Sequence, residues 1–322
     1  MSIAARAQHR ATSEKSMDMI RRRAREHPAR YKKLGEERIM KISMGQSPRI
    51  MGIGPVKNVP RQVLSASPGN IFTVTSDERG RLDKVGLGSV AYALLHFRIE
   101  RLIAWGDYRA TQAELEAAGF KKQLGMLERL VYTNGAGRRG AATPGAAVLS
   151  CSDSRITRSI FGGDAYVISN AGNILSPLAI AAMAGLVREG VPAIVVLGHT
   201  DCGAVGAALS GNNEKHLETI LSVVGENIRR GEPDGNSAKK AVRKVMSNRN
   251  FEAVSPSEGR EFVERLNAEV LNAVSTVNAI RGKTFANYFG PELQELQGLV
   301  RETGTAVIPM FLDLATGEIE EI

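Results

Sequence analysis

Cys151 and Cys202 are the only cysteines among 322 residues, and both sit in polar, glycine-flanked segments. One segment reads Cys151-Ser-Asp-Ser-Arg155, the other Gly198-His-Thr-Asp-Cys-Gly203. Thiolate and imidazole are good zinc donors, and a catalytic zinc site uses three protein ligands and keeps one position open. Cys151, His199 and Cys202 make up such a set, and His-x-x-Cys in a tight turn can aim two side chains at one ion. The residues alone leave plainer readings open. A closed structural site would want a fourth Cys or His, whereas His9, His27, His96 and His216 carry no motif context. The cysteines could equally be small buried hydrophobes that never meet the histidine. Asp153 and Arg155, beside Cys151, are either an ordinary surface pair, which contributes little, or charged groups serving a site. Two cysteines are too few for a disulfide framework.

The elements that must position these residues are legible as alternating segments. Residues 146–149 and 193–197 are short apolar runs that read as buried strands, and each leads directly into one of the two motifs. Sites of open α/β sheets form at the carboxyl ends of strands. Residues 50–53, 71–75, 102–105, 165–169 and 306–314 read as further strands; 89–97, 177–188 and 261–277 read as helices. Thr111-Gln-Ala-Glu114 has the spacing of a capping box and predicts a helix running to about residue 131. Pro309 removes a ladder donor, which predicts an edge strand or a bulge there. The expected fold is α/β, a mostly parallel β-sheet flanked by helices.

The alternation occurs twice. Ser47-Pro-Arg-Ile-Met-Gly-Ile53 resembles Thr143-Pro-Gly-Ala-Ala-Val-Leu149, Gly69-Asn-Ile-Phe-Thr-Val-Thr75 resembles Gly163-Asp-Ala-Tyr-Val-Ile-Ser169, and Leu102-Ile-Ala-Trp-Gly106 resembles Ile194-Val-Val-Leu-Gly198. The offsets are 96, 94 and 92 residues, three blocks in order at nearly one spacing, as small loop deletions in a duplicated unit would leave. At the polar positions the first copy has Pro55, Lys57, Asp107 and Ala110 where the second has Cys151, Asp153, His199 and Cys202. It keeps a scaffold and lacks the ligands. The expected organisation is a basic helical arm (1–46), a degenerate repeat (47–132), a Gly/Arg/Ala-rich linker (133–145) and a metal domain (146–322), two homologous domains in one chain.

The net charge of +8 is concentrated at one end: residues 1–46 hold twelve Lys and Arg against five Asp and Glu. Such an arm can attract nucleic acid, an anionic surface or an acidic partner, or pack on the protein's own acidic face. Residues 13–40 read as helical with loose apolar spacing, divided at Pro28. No RNA-binding aromatic motif accompanies Arg21–Arg25, so nucleic acid is not the expected partner. No stretch approaches the ~20 apolar residues of a membrane span. No secretory h-region opens the chain, and Glu14 and Asp18 argue against a transit peptide; a cytoplasmic location, or an organelle or protein compartment, is the expectation.

The motifs Cys151-Ser-Asp-Ser-Arg155, Gly163-Asp-Ala-Tyr, Asn170-Ala-Gly-Asn173 and Gly198-His-Thr-Asp-Cys-Gly203 resemble the successive signatures of β-class carbonic anhydrases. Phe311-Leu-Asp-Leu-Ala-Thr-Gly317 is similar to that family's last strand and turn. The resemblance covers about 146–322, with a degenerate copy over about 29–132; residues 212–255 resemble nothing identified. It implies Zn²⁺ on Cys151, His199 and Cys202, and an Asp153–Arg155 dyad in which Arg155 orients Asp153 toward a zinc-bound hydroxide that attacks CO₂ to give bicarbonate. In some relatives the dyad aspartate itself closes the site, and this sequence permits either state. It further implies a homo-oligomer of chains in which the fused copies mimic a subunit pair, the silent copy walling the cleft. A carbonyl sulfide or carbon disulfide hydrolase on the same scaffold is the sibling reading. An assembly protein docking an acidic partner or a compartment shell through the basic arm is the reading from another class.

Overall fold

The computed structural model describes residues 3–132, 144–162, 165–231, 235–249, 255–283 and 290–322. Two helices, α1 (Ile3–Lys32) and α2 (Glu36–Ser43), lead into a first unit. It contains β1 (Ile50–Gly54), α3 (Arg61–Leu64), β2 (Ile71–Thr75), α4 (Lys84–His96), β3 (Arg101–Trp105), α5 (Tyr108–Ala117), α6 (Lys121–Gly125) and β4 (Glu128–Tyr132). The second contains β5 (Ala146–Cys151), β6 (Ala165–Asn170), a 3₁₀ turn (Ala171–Asn173), α7 (Pro177–Arg188), β7 (Ala193–His199) and α8 (Gly203–Leu209). It continues with α9 (Glu218–Arg230), α10 (Gly235–Ser247), α11 (Pro256–Ile280), α12 (Gly290–Thr303), β8 (Ala306–Leu312) and β9 (Ile319–Glu321).

Two sheets result, ordered β2-β1-β3-β4 and β6-β5-β7-β8-β9. Every ladder is parallel except β8–β9. The expected α/β fold with mostly parallel sheet is therefore present. β5 and β7 are buried along their whole length, as central strands covered by helices on both faces must be. The edge strands β2 and β6 bring the sheets together. Ser169 N donates to Thr75 Oγ1 at 2.8 Å, Thr73 Oγ1 to Ser169 Oγ at 3.2 Å, and the Arg158 guanidinium donates both to Val167 O of its own unit and to Thr75 Oγ1. Arg158 also lies over the Trp105 ring at 5.3 Å.

Four local expectations need correction. Pro28 does not divide the first helix: α1 continues through it to Lys32. The lost N–H is one bond close to the helix end, and docking on both sides offsets it. Met17, Ile20 and Ala24 join the core of the second unit, and the Tyr31 hydroxyl donates to Leu314 O at 2.6 Å. Thr111 opens no helix, because α5 is already capped by Asp107, which accepts from Arg109 N. The Thr111 hydroxyl instead bonds Gly80 O. Residues 128–132 are strand β4, since pairing along β3 overrides a helical pattern there. Pro309 lies in neither an edge strand nor a bulge, because β8 pairs with β7 on one side and β9 on the other. Pro309 O accepts from Ile322 N, so its donorless nitrogen faces the place where the β9 ladder ends.

The unassigned section 212–255 supplies α9 and α10, whose apolar faces (Ile220, Val223 and Val224; Ala238, Ala241 and Val245) complete the core. Apart from Pro144 and Gly145, the expected linker lies outside the described residues. Among the described residues no helix is long and apolar enough to cross a membrane.

Candidate metal centre

β5 ends at Cys151 and β7 at His199, neighbouring strands whose carboxyl ends open on the same side of the sheet. The turn after β7 is tight: Asp201 has φ 59°, a left-handed conformation that Asp tolerates better than most residues. It brings Cys202 back beside His199. One donor atom each from Cys151, His199 and Cys202, all buried, lies within 4.8 Å of the others. Among the described residues no second group of Cys, His, Asp or Glu converges in this way. The sequence-predicted triad therefore meets in space.

The imidazole is fixed for ligation. His199 Nδ1 faces Thr200 O at 2.9 Å, which places the ring proton on Nδ1 and leaves a lone pair on Nε2. Nε2 is buried and has no partner in hydrogen-bonding geometry among the described residues. An orphaned buried acceptor costs free energy unless something satisfies it, and a cation between Nε2 and two sulfurs would do so. Burial alone would lower the His199 pKa, but the charge and proximity of the Cys202 sulfur raise it to about 9: without a metal the site draws a proton to Nε2, and a cation bound there would displace it. The Cys202 S–H bond lowers the Cys151 thiol, with Gly172 N also donating to its Sγ at 3.3 Å; Cys202 is raised in return. Of the two thiols, Cys151 is thus the more readily ionised.

Asp153 and Arg155 form a buried bidentate pair. Arg155 Nε reaches Asp153 Oδ1 at 2.9 Å and Nη2 reaches Oδ2 at 2.6 Å, with Arg155 N also donating to Oδ1. Both carboxylate oxygens are engaged, and Asp153 stands outside the ligand cluster. Burial pushes its pKa up, but the Arg155 charge and hydrogen bonds more than offset this and hold it below the usual carboxylate range. Arg155 reaches onward to Asp201 Oδ2 and Asp201 O, both at 2.7 Å, tying the two motifs together.

The first unit and its preceding loop complete the site. Gln46, Phe72 and Tyr92 line a pocket with Cys151, Asp153, Ala171, Gly203 and Leu217. A Cβ on Gly203 would stand 2.8 Å from the Tyr92 hydroxyl, so any other residue there would displace the tyrosine from the pocket wall. Gln46 Oε1 accepts from Ser154 N at 3.0 Å. Burial, with Asp153 and the two sulfurs adding, pushes the Tyr92 pKa up to about 12, so its hydroxyl stays protonated. The His96 ring lies 4.7 Å from Tyr92, and its Nε2 is 3.0 Å from Glu214. Sequence reading missed these residues. The available signal was Tyr92-x-x-x-His96, two rings on one helix face. At the silent positions Pro55 follows β1 directly and receives the Trp105 indole N–H, Lys57 pairs with Glu189, and Asp107 caps α5. Gly163 and Asp164 of the second motif lie outside the described residues.

A buried Cys-His-Cys set at the strand ends of a parallel sheet, with an aspartate held off by an arginine, makes this an α/β protein with a candidate metal centre. A family model described as carbonic anhydrase matches residues 146–280. Over that segment, less than half of its length, the chain is similar to the carbonic anhydrase family, and four of the five β-class signatures read in the sequence fall inside it. Carbonic anhydrase 2 of Mycobacterium tuberculosis is 32% identical over 112 residues, 32% of this chain and 54% of the relative. A carbonic anhydrase of Mycolicibacterium smegmatis is 39% identical over 79 residues, 23% and 38% of the two chains. The chain thus spans about half the length, or less, of these curated relatives. Among solved structures, a tetrameric beta-carbonic anhydrase of Sordaria macrospora aligns over 67% of this chain and 95% of its own, at 22% identity and TM-score 0.38. A carbon disulfide hydrolase aligns over 66% and 88%, at 15% identity and TM-score 0.29.

Proposed function

We propose that this chain catalyses the reversible hydration of carbon dioxide to bicarbonate with one zinc ion held by Cys151, His199 and Cys202. The observation that carries the reading is the buried, partnerless His199 Nε2 facing two cysteines while Asp153 is occupied by Arg155. Zinc bound there would supply the Lewis acidity that makes water a nucleophile near neutral pH. The residues do the rest. Arg155 holds Asp153 ionised, leaving a fixed carboxylate at the pocket to accept a hydrogen bond from the attacking water and aim its lone pair, without taking its proton. This arrangement supports the open state, with Asp153 outside the ligand set.

The pocket suits a very small substrate. Its cavity is about 20 Å³, room for about one water-sized molecule. Phe72, Leu217 and Ile220 offer apolar contact suited to an uncharged molecule. For the proton, Tyr92 and His96 point a route outward: the exposed His96 ring lies against that of Tyr92 on the pocket wall.

We take residues 47–132 as the degenerate copy, supported by the common strand order of the two sheets. In this reading the arm serves the chain's own fold: Arg21 pairs with Glu321, and Arg30 donates to Ile160 O. Stopped-flow CO₂ hydration on zinc-loaded protein tests the function. A rate lost in Cys202→Ser is expected; a zinc-loaded chain that only hydrolyses carbonyl sulfide or carbon disulfide, or does nothing, overturns it.

A further inference from the structure

One helix touches both halves of the candidate centre. Along α11, Arg265, Glu269 and Asn272 recur at spacings of four and three and so share a face. They span about 10 Å of axis at about 1.5 Å per residue. Glu269 Oε1 accepts the Cys202 N–H at 2.7 Å. Arg265 Nη2 donates to Cys202 O at 3.2 Å and pairs with Asp201 Oδ1 at 2.9 Å, while its Nε faces Glu269 at 3.3 Å. The peptide groups on both sides of the Cys202 Cα are thus held by one salt-bridged pair. At the other end, Asn272 Nδ2 donates to Gly172 O at 2.8 Å, and Gly172 N is the donor to Cys151 Sγ. Asn227 Nδ2 donates to Asn272 Oδ1 at 2.9 Å, which fixes the amide orientation.

α11 is tightly seated against these turns. A Cβ on Gly198, the residue before His199, would stand 3.0 Å from the Ala273 Cβ. Glu269 is buried, and it faces the Cys202 amide and Arg265 instead of joining the ligand cluster. A carboxylate placed so deep costs several kcal/mol unless it is bonded to something that needs it.

We infer that Glu269 and Asn272 are positioning residues for the metal centre: Glu269 sets the Cys202 turn and Asn272 sets the Gly172 turn that donates to Cys151. The inference rests on the metal-centre reading above. Hydrogen-bonded partners behind ligands fix ligand direction, and losing one costs on the order of 10–100-fold in metal affinity.

The test compares wild type, Glu269→Gln, Glu269→Leu and Asn272→Ala. Zinc affinity is measured by chelator competition, and the sulfur-to-cobalt charge-transfer spectrum is recorded after cobalt(II) substitution. Far-UV circular dichroism reports the fold of each. Glu269→Gln retains an acceptor for Cys202 N–H and is expected to keep near-wild-type affinity and spectrum. Glu269→Leu and Asn272→Ala are expected to lose affinity on the order of 10–100-fold and to shift the charge-transfer band. Folded Glu269→Leu and Asn272→Ala proteins with wild-type affinity and band overturn this inference alone. So does a Glu269→Gln protein as impaired as Glu269→Leu. If Glu269→Leu fails to fold, the Glu269→Gln and Asn272→Ala spectra decide. A wild-type chain that takes up no metal overturns the metal-centre reading and this inference with it.

Discussion

Replacing Arg155 with Ala tests the dyad most directly. The side chains of Arg155 and Asp153 are 2% and 0% exposed, so the variant leaves a fully buried carboxylate without its counter-charge, bonded only by the backbone N–H of residue 155. Breaking a buried pair by removing one partner costs about 3–5 kcal/mol. The second pair lost, to Asp201, adds at most about 1 kcal/mol, because Asp201 is 43% exposed and screened by solvent. The pH dependence carries the sign. In wild type the Asp153 pKa is depressed, so its contribution is complete above the unfolded value of about 4 and disappears as pH falls through the folded value. In Arg155→Ala, burial without the counter-charge raises that pKa, so protonation relieves the variant as pH falls. Urea unfolding of both proteins should therefore show a gap of about 3–5 kcal/mol at pH 7.5 that narrows steadily toward pH 4.5. A gap below about 1 kcal/mol at pH 7.5, the range of exposed pairs, or one that widens on acidification, would refute the assignment of a buried ionised Asp153.

Three further outcomes are expected. Metal analysis should return about one zinc per chain and essentially none in Cys202→Ser, because among the described residues one ligand set supplies a three-donor site; two equivalents would reveal ligands elsewhere. His96→Ala should keep zinc yet slow hydration about tenfold or more in weak buffer, with added imidazole restoring the rate; an unchanged rate at low buffer removes His96 from the proton route. A fragment of residues 144–322 loses Phe72, Tyr92 and the α1 face that covers the second sheet. It should aggregate or bind zinc poorly, and a soluble, monomeric, active fragment would show that the units are independent.

What the sequence revealed and what it concealed divide along a physical line. Cys151, Asp153, Arg155, His199 and Cys202 are legible because each motif is local: its chemistry lies within five residues of a strand end. Gln46, Phe72 and Tyr92 reach the pocket from the first unit and the loop before it, His96 stands beside Tyr92, and Glu269 and Asn272 reach the Cys202 and Gly172 turns from a helix more than sixty residues beyond Cys202. No local pattern encodes that meeting. The strands of the central sheet were read from continuous apolar runs, which only burial on both faces produces. β4 was not, because Glu128–Tyr132 is largely exposed and lacks that signal. Pro28 and Pro309 misled for the same reason: the cost of a missing N–H depends on what faces that nitrogen, which is a tertiary fact.

The covalent continuity of the two units has a consequence for dilution. Phe72 and Tyr92 belong to one unit and Cys151 to the other, yet all three lie on one polypeptide. Were the wall supplied by a separate subunit, completeness of the pocket would follow protein concentration by mass action. A tether converts that encounter into an intramolecular one at an effective concentration on the order of millimolar. The pocket therefore stays assembled at nanomolar protein, and only one of the two scaffolds has to retain the ligands.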